Sequence, residues 1–187
     1  MSNNQNILVI HPSDSTTDFL SFIYKDINAT VIRQPISKSR LKKLIKEADR
    51  VIMLGHGTEY GMGYVEKGSI TKVIDSTFVY LLREKEDNIY IWCHADEFVK
   101  KYGLSGFSTG MFISEVAEAE YFNVRATENE VKESNERFAR VVRIHVHKKG
   151  EDLKNILKNE YVLDSDVARY NHGRLYNFRK DETDNNN

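Results

Sequence analysis

The first half of the chain alternates short, wholly apolar runs with stretches whose apolar positions recur every three or four residues, the pattern of a parallel sheet joined by crossover helices. Residues 7–10 are the first such run, ending at His11-Pro12, and residues 14–27 follow with Phe19, Leu20, Ile23 and Ile27 at helical spacing. A second strand is predicted over 29–33. Ser37 then reads as the N-cap of a helix: Ile36 and Leu41 stand at the N′ and N4 positions of a hydrophobic staple, and Leu41, Leu44, Ile45 and Ala48 line the buried face. Residues 51–54 are continuously apolar, as in a strand covered on both faces, and lead straight into Gly55-His56-Gly57.

The glycine-rich stretch 55–68 reads as a loop. Asp75 can open a helix carrying Phe78, Leu81 and Leu82, and residues 88–92 form a fourth strand that runs into Cys93-His94. A short helix over 96–102 stops at Gly103, residues 104–107 read as a fifth strand, and Ser108-Thr109-Gly110 leads to a helix over 111–122. Thr127 to Glu130 is a capping box opening a helix whose stripe is Val131, Phe138 and Val142, with Asn135 as its polar exception. From Gly150 onward Leu153, Ile156 and Leu157 predict another helix, followed by an irregular aromatic segment with Tyr170, Tyr176 and Phe178. The expectation is one α/β domain over residues 1–180: a three-layer α/β/α arrangement, flavodoxin-like in plan, with at least four strands in sequence order and a helical C-terminal third. The polar stretch 181–187 is expected to be a disordered tail.

Composition narrows what such a domain can do. In 187 residues, 27 Lys+Arg stand against 28 Asp+Glu, a net charge of −1, which argues against a strong non-specific grip on nucleic acid or an acidic membrane. No apolar run approaches the roughly 18 residues of a membrane span, and the polar start carries no signal-peptide pattern, so the expected location is the cytoplasm. Cys93 is the single cysteine and cannot form an intramolecular disulfide.

In open α/β sheets the reacting groups gather beyond the carboxyl ends of the strands. His56 and Cys93 both stand at such ends. If their strands are neighbours, about 4.8 Å apart, the two side chains form a Cys-His pair in which the imidazole takes the thiol proton and later protonates a leaving amine. The N–H groups of Gly57 and Cys93 are then candidate donors to a tetrahedral oxyanion.

These residues resemble the caspase-like cysteine peptidases, a clan that also includes the gingipain, clostripain, legumain, separase and CHAT families. Residues 51–61, VIMLGHGTEYG, look like the histidine block, and IYIWC at 89–93 looks like the cysteine block. The resemblance implies that His56 is the general base and acid, Cys93 the nucleophile and Gly57 an oxyanion donor. One departure is the absence of a glycine two positions after the cysteine. A second resemblance, to the nucleophile elbow of the PfpI and class I glutamine amidotransferase superfamily, would give His94 the role of His56. A non-enzymatic module binding a ligand or partner on the same sheet is the third alternative.

Glu59, Asp96 and Glu97 surround the proposed nucleophile as candidate substrate-binding groups, which implies a basic residue before the scissile bond of a peptide or protein substrate. First-turn acids also complement a helix dipole. A small peptidase of this type needs restraint, and a ligand or partner protein that orders the 55–68 stretch is the expected activator. Residues 105–110 have the small, hydroxyl-rich character of a substrate loop. His145 and His147 alternate as strand residues would, but lack the further ligands of a metal site. Lys148, Lys149, Arg169, Arg174, Arg179 and Lys180 give the C-terminal part a cationic face interleaved with aromatics. No nucleotide or dinucleotide fingerprint follows a strand, and neither cofactor nor metal is expected.

Overall fold

A computed structural model describes residues 5–66 and 69–180. The strands are β1 (Ile7–Ile10), β2 (Ala29–Ile32), β3 (Arg50–Leu54), β4 (His56–Thr58), β5 (Gly61–Glu66), β6 (Ser69–Ile74), β7 (Asn88–Ile91), β8 (Gly106–Thr109) and β9 (Leu175–Phe178). The helices are α1 (Lys38–Glu47), α2 (Val79–Leu82), α3 (Ala95–Lys101), α4 (Val116–Tyr121), α5 (Glu128–His145), α6 (Gly150–Glu160) and α7 (Asp166–His172). Six strands make a central sheet in the order β2-β1-β3-β7-β8-β9, parallel except for β9, which pairs antiparallel with β8. The fold is therefore α/β with a mainly parallel sheet and helices on both faces.

Strand parity sorts the core into two layers. Leu8, Ile10, Val51, Met53, Tyr90 and Trp92 face one cluster with Leu41, Ile45, Leu82, Phe98 and Val99 of α1 to α3. Val9, Ile52, Leu54, Ile89 and Ile91 face the other, built with Leu20, Ile23, Phe138, Val142, Leu153 and Leu157. Both faces of each inner strand are covered, which is why its sequence is apolar throughout rather than alternating.

Several elements depart from the sequence pattern. The helix expected over 14–27 is a 3-10 segment, Asp18–Tyr24, because the Asp14 carboxylate takes the N–H and hydroxyl of Thr16 and closes a local turn that competes with helix. The stretch expected to be a loop from 55 to 68 supplies β4 and β5, two strands of the three-stranded antiparallel sheet β4-β5-β6; Lys67 and Gly68 lie outside the described residues, as does the 181–187 tail. The fifth strand begins at Gly106, since the Leu104 N–H is still bonded to the Val99 carbonyl at the end of α3. Residues 105–110 are accordingly mostly buried strand rather than an open substrate loop. The helix expected over 111–122 is confined to α4, with an extended strap at 110–115 before it. Leu175 to Phe178 form a strand, and His145 and His147 lie at the end of α5 and in the next turn, so the alternation read there is not a strand. The chain also leaves sequence order: β1 lies between β2 and β3, which puts a topological switch point between β1 and β3.

At the amino ends of the parallel strands, Arg50 is 2% exposed and donates to three carbonyls: Asp87 at 2.6 Å, Val146 at 2.6 Å and Lys148 at 2.9 Å. Beside it the Asn88 side chain accepts the Val51 N–H at 3.0 Å and donates to the Leu82 carbonyl and the Tyr90 hydroxyl. Replacing Arg50 by Met leaves the three carbonyls without their donor, and we expect a loss of about 3–5 kcal/mol. Urea unfolding measures it; a midpoint within error of the wild type would contradict the assignment.

Candidate functional site

The adjacent strands β3 and β7 pair in parallel with Leu54 opposite Ile91. His56 and Cys93 each follow two residues later, beyond the carboxyl ends of these two neighbouring strands. Between Leu54 and His56, Gly55 adopts φ +142° with its N–H on the Ile91 carbonyl, a conformation that lets the chain leave the sheet and start β4. After Cys93, His94 is left-handed at φ 65°, ψ 27°, uncommon for a residue with a Cβ, and this turn starts α3.

His56 is anchored by the segment after β1. Its Nε2 lies 2.7 Å from the Thr16 hydroxyl, which itself donates to Asp14 Oδ1 at 2.6 Å; Asp14 Oδ1 stands 3.6 Å from Nε2. The Thr16 proton is committed to the carboxylate, so the hydroxyl presents a lone pair to the ring and Nε2 carries the hydrogen. Nδ1 is then the basic nitrogen. Thr16's hydrogen bonds, and secondarily His56, hold the Asp14 carboxyl below its usual range.

Cys93 is half-buried and turned toward the strap. Its thiol contacts the Phe112 carbonyl at 3.7 Å and is not hydrogen-bonded to His56. Burial, reinforced by the Glu118 charge, pushes the thiol up to about 12. The strap is tied from two helices. Asn171 of α7 accepts the Ile113 N–H and donates to the Ile113 carbonyl, both at 2.8 Å, and Asn135 of α5 donates to the Ser114 carbonyl at 2.9 Å. Glu118 collects the N–H groups of Ser114 and Glu115.

The remaining sequence-predicted residues are spread around this centre. Gly57 has a packing reason: a Cβ there would come within 2.2 Å of Trp92 Cδ1, so the close approach it permits is to the indole ring. Trp92 Nε1 donates to the Thr58 carbonyl at 3.1 Å, and its backbone oxygen accepts from Thr109 at 3.0 Å. Glu59 sits half-buried in the β4–β5 turn. Asp96 keeps one buried carboxylate oxygen without a partner, facing Gly110, and burial raises its pKa. Glu97 is exposed and bonded to His94 Nδ1 at 2.9 Å. Arg174 comes to the same edge from the C-terminal part, its guanidinium 3.3 Å from the centre of the Tyr170 ring. His145 approaches Glu160 at 3.5 Å, and no group of three or more metal-ligating side chains occurs among the described residues. Asp14, Thr16 and Asn171 are not marked by the sequence reading, and Asn135 is marked there only as the polar exception in an apolar stripe; the polar run at 13–17 directly after a strand end is the signal that could have marked the first two.

No family model, curated protein or solved structure matches the chain. Among the described residues no helix is long and apolar enough to cross a membrane.

Two pH effects follow from the electrostatics. His11 at the end of β1 is fully buried, with Nδ1 on the Tyr24 hydroxyl at 2.9 Å and Nε2 unpartnered, and burial, aided by Arg33, lowers its pKa to about 4. The unfolded chain therefore takes up a proton near pH 6.5 that the folded chain refuses until pH 4. Stability should be full above 6.5 and fall by about 3 kcal/mol between those limits; denaturant titrations should show this slope much reduced in His11→Gln. For Cys93, iodoacetamide at pH 7.5 should label the folded protein at least ~100-fold more slowly than the urea-unfolded chain, and Glu118→Gln should speed labelling. A folded-state thiol titrating below pH 9 would contradict this.

Proposed function

We propose that this protein is a cysteine-dependent hydrolase, a small cytoplasmic endopeptidase of the caspase-like kind that its His-Gly and Cys blocks resemble, acting through Cys93 and His56. The observation that carries this reading is the pairing of β3 with β7, whose neighbouring carboxyl ends lead into Gly55-His56 and Trp92-Cys93. It is supported by the strained turn at His94 and by the ionised Asp14 behind His56.

In the proposed reaction His56 Nδ1 takes the Cys93 proton, and the sulfur attacks the carbonyl carbon of a peptide bond. The displaced electron pair settles on the carbonyl oxygen, which the Gly57 and Cys93 N–H groups stabilise. Collapse expels the amine, protonated by His56; water, with His56 as base, then cleaves the thioester to release the acid and restore the thiol. Thr16 and Asp14 hold the ring in place. Because the resting thiol is buried and protonated, transfer has to be coupled to substrate arrival or to a ligand or partner protein that draws the strap away from Cys93. The unpartnered Asp96 oxygen, with Glu59, favours a basic residue before the scissile bond; Glu97, paired with His94, contributes less.

The same buried thiol favours a second reading, a binding module for which Cys93 is structural. Cleavage of a peptide library, assayed with and without cell extract to supply an activator, separates the two. We expect Cys93→Ala and His56→Ala each to lower kcat/KM by about three orders of magnitude, with cleavage after Lys or Arg. A preference for Asp would remove the acidic-rim argument. Loss in His94→Ala with His56→Ala unaffected would favour the amidotransferase-like alternative, and no cleavage under any condition leaves the binding module.

A further inference from the structure

Beside His56, between the 3-10 segment and the starts of α4 and α5, lies a cleft of about 530 Å³, within the ~300–1,000 Å³ of small-ligand sites. Thr16, the residue bonded to His56, forms part of its wall. Phe19, Val116 and Val131 supply apolar walls. Charge is unevenly distributed: Glu115, Glu128 and Glu136 line it against a single cation, Lys132, which pairs with Glu136 at 3.9 Å. Glu115 and Glu128 make no ion pair among the described residues.

Asn135 supplies the independent observation. It is 7% exposed and lines the cleft; its Nδ2 is committed to the Ser114 carbonyl, which fixes the amide's orientation, and its Oδ1 is buried with no hydrogen-bond partner. A buried acceptor in this state favours any group that brings it an N–H. The vacant acceptor, the acidic wall and the apolar sides select the same chemistry: an alkyl stem ending in a cationic N–H donor.

We propose that this cleft is a subsite for a lysine or arginine side chain of an extended peptide, at a position away from the scissile bond, with Glu115 and Glu128 matching its charge and its N–H reaching Asn135 Oδ1 once the atoms that cover that oxygen shift aside. The peptide as occupant rests on the hydrolase reading above, since Thr16 joins the cleft to His56. Occupancy also touches the strap, because Asn135 and Ser114, its hydrogen-bonded partner, both line the cleft.

The test uses the full chain carrying Cys93→Ala, so that binding is read without turnover. N-acetyl-arginine-N-methylamide is titrated against 15N-labelled protein, with the neutral isostere N-acetyl-citrulline-N-methylamide alongside. Arginine should shift the Asn135 side-chain amide and the backbone signals of Glu128 and Val131, at least ~10-fold more tightly than citrulline and less tightly as salt rises. Asn135→Leu should abolish those shifts. The exposed pair Glu115→Gln/Glu128→Gln, which leaves the core untouched, should weaken binding by about 3- to 10-fold. Equal affinity for the two probes, shifts confined to other surfaces, or binding unaltered by the Glu115/Glu128 pair would each overturn the proposal. Hydrolysis without binding here removes the subsite alone, whereas binding here without hydrolysis of any peptide removes the peptidase reading and leaves a site for basic peptides.

Discussion

The pairing register of β3 with β7 is the constraint on which the rest of this protein depends. A shift of one residue would turn every inward side chain of either strand to the opposite layer and move one strand's carboxyl end relative to the other. What fixes it is largely polar and sits at the far end of the strands. Asn88 at the start of β7 takes the Val51 N–H of β3, while Arg50 ties the start of β3 to the turns before β7 and after α5. An apolar strand can slide against its neighbour at modest cost; a guanidinium sealed among three carbonyls has one arrangement that satisfies it.

The layers of the sheet were legible in the sequence because each inner strand announces itself by an unbroken apolar run and each long helix by its spacing and cap. Ser37 and Thr127 cap helices where the sequence puts them, and β1 and β3 fall within a residue of expectation. The 3-10 segment at 18–24 fails for a local reason, the Asp14–Thr16 turn, whereas other failures trace to partners elsewhere in the chain. The β4-β5-β6 sheet hides behind glycines at His56-Gly57 and Gly63, where close packing excludes side chains that would otherwise have marked a strand. β9 is a strand because β8 offers it an edge, and nothing local in Leu175 to Phe178 distinguishes that from an aromatic coil. For the site, the two strand-end residues could be found from position alone. Their surroundings could not, since Asp14 and Thr16 reach His56 across about forty residues and the strap reaches Cys93 from beyond β8.

The two halves of the site stand in contrasting states. His56 is prepared, with its tautomer set by Thr16 and a carboxylate behind it, whereas Cys93 is held neutral under a strap secured by Asn135 and Asn171. Both asparagines come from helices in the C-terminal part, so that region governs the access and protonation of a residue in the middle of the chain. The strap therefore couples two structural regions: whatever moves α5 or α7 relative to the sheet alters the surroundings of the thiol.

Trp92 gives this arrangement an optical handle. It is the protein's single tryptophan, adjoins Cys93 in the chain, lies against Gly57 next to His56, and hydrogen-bonds the β4 backbone through its indole N–H. Its emission colour and quenching thus originate from one place, where the segments following β3 and β7 meet, with no second fluorophore of its kind to blur the signal. Movement of β4, the strap or the thiol can be followed by light from the native protein, without labels.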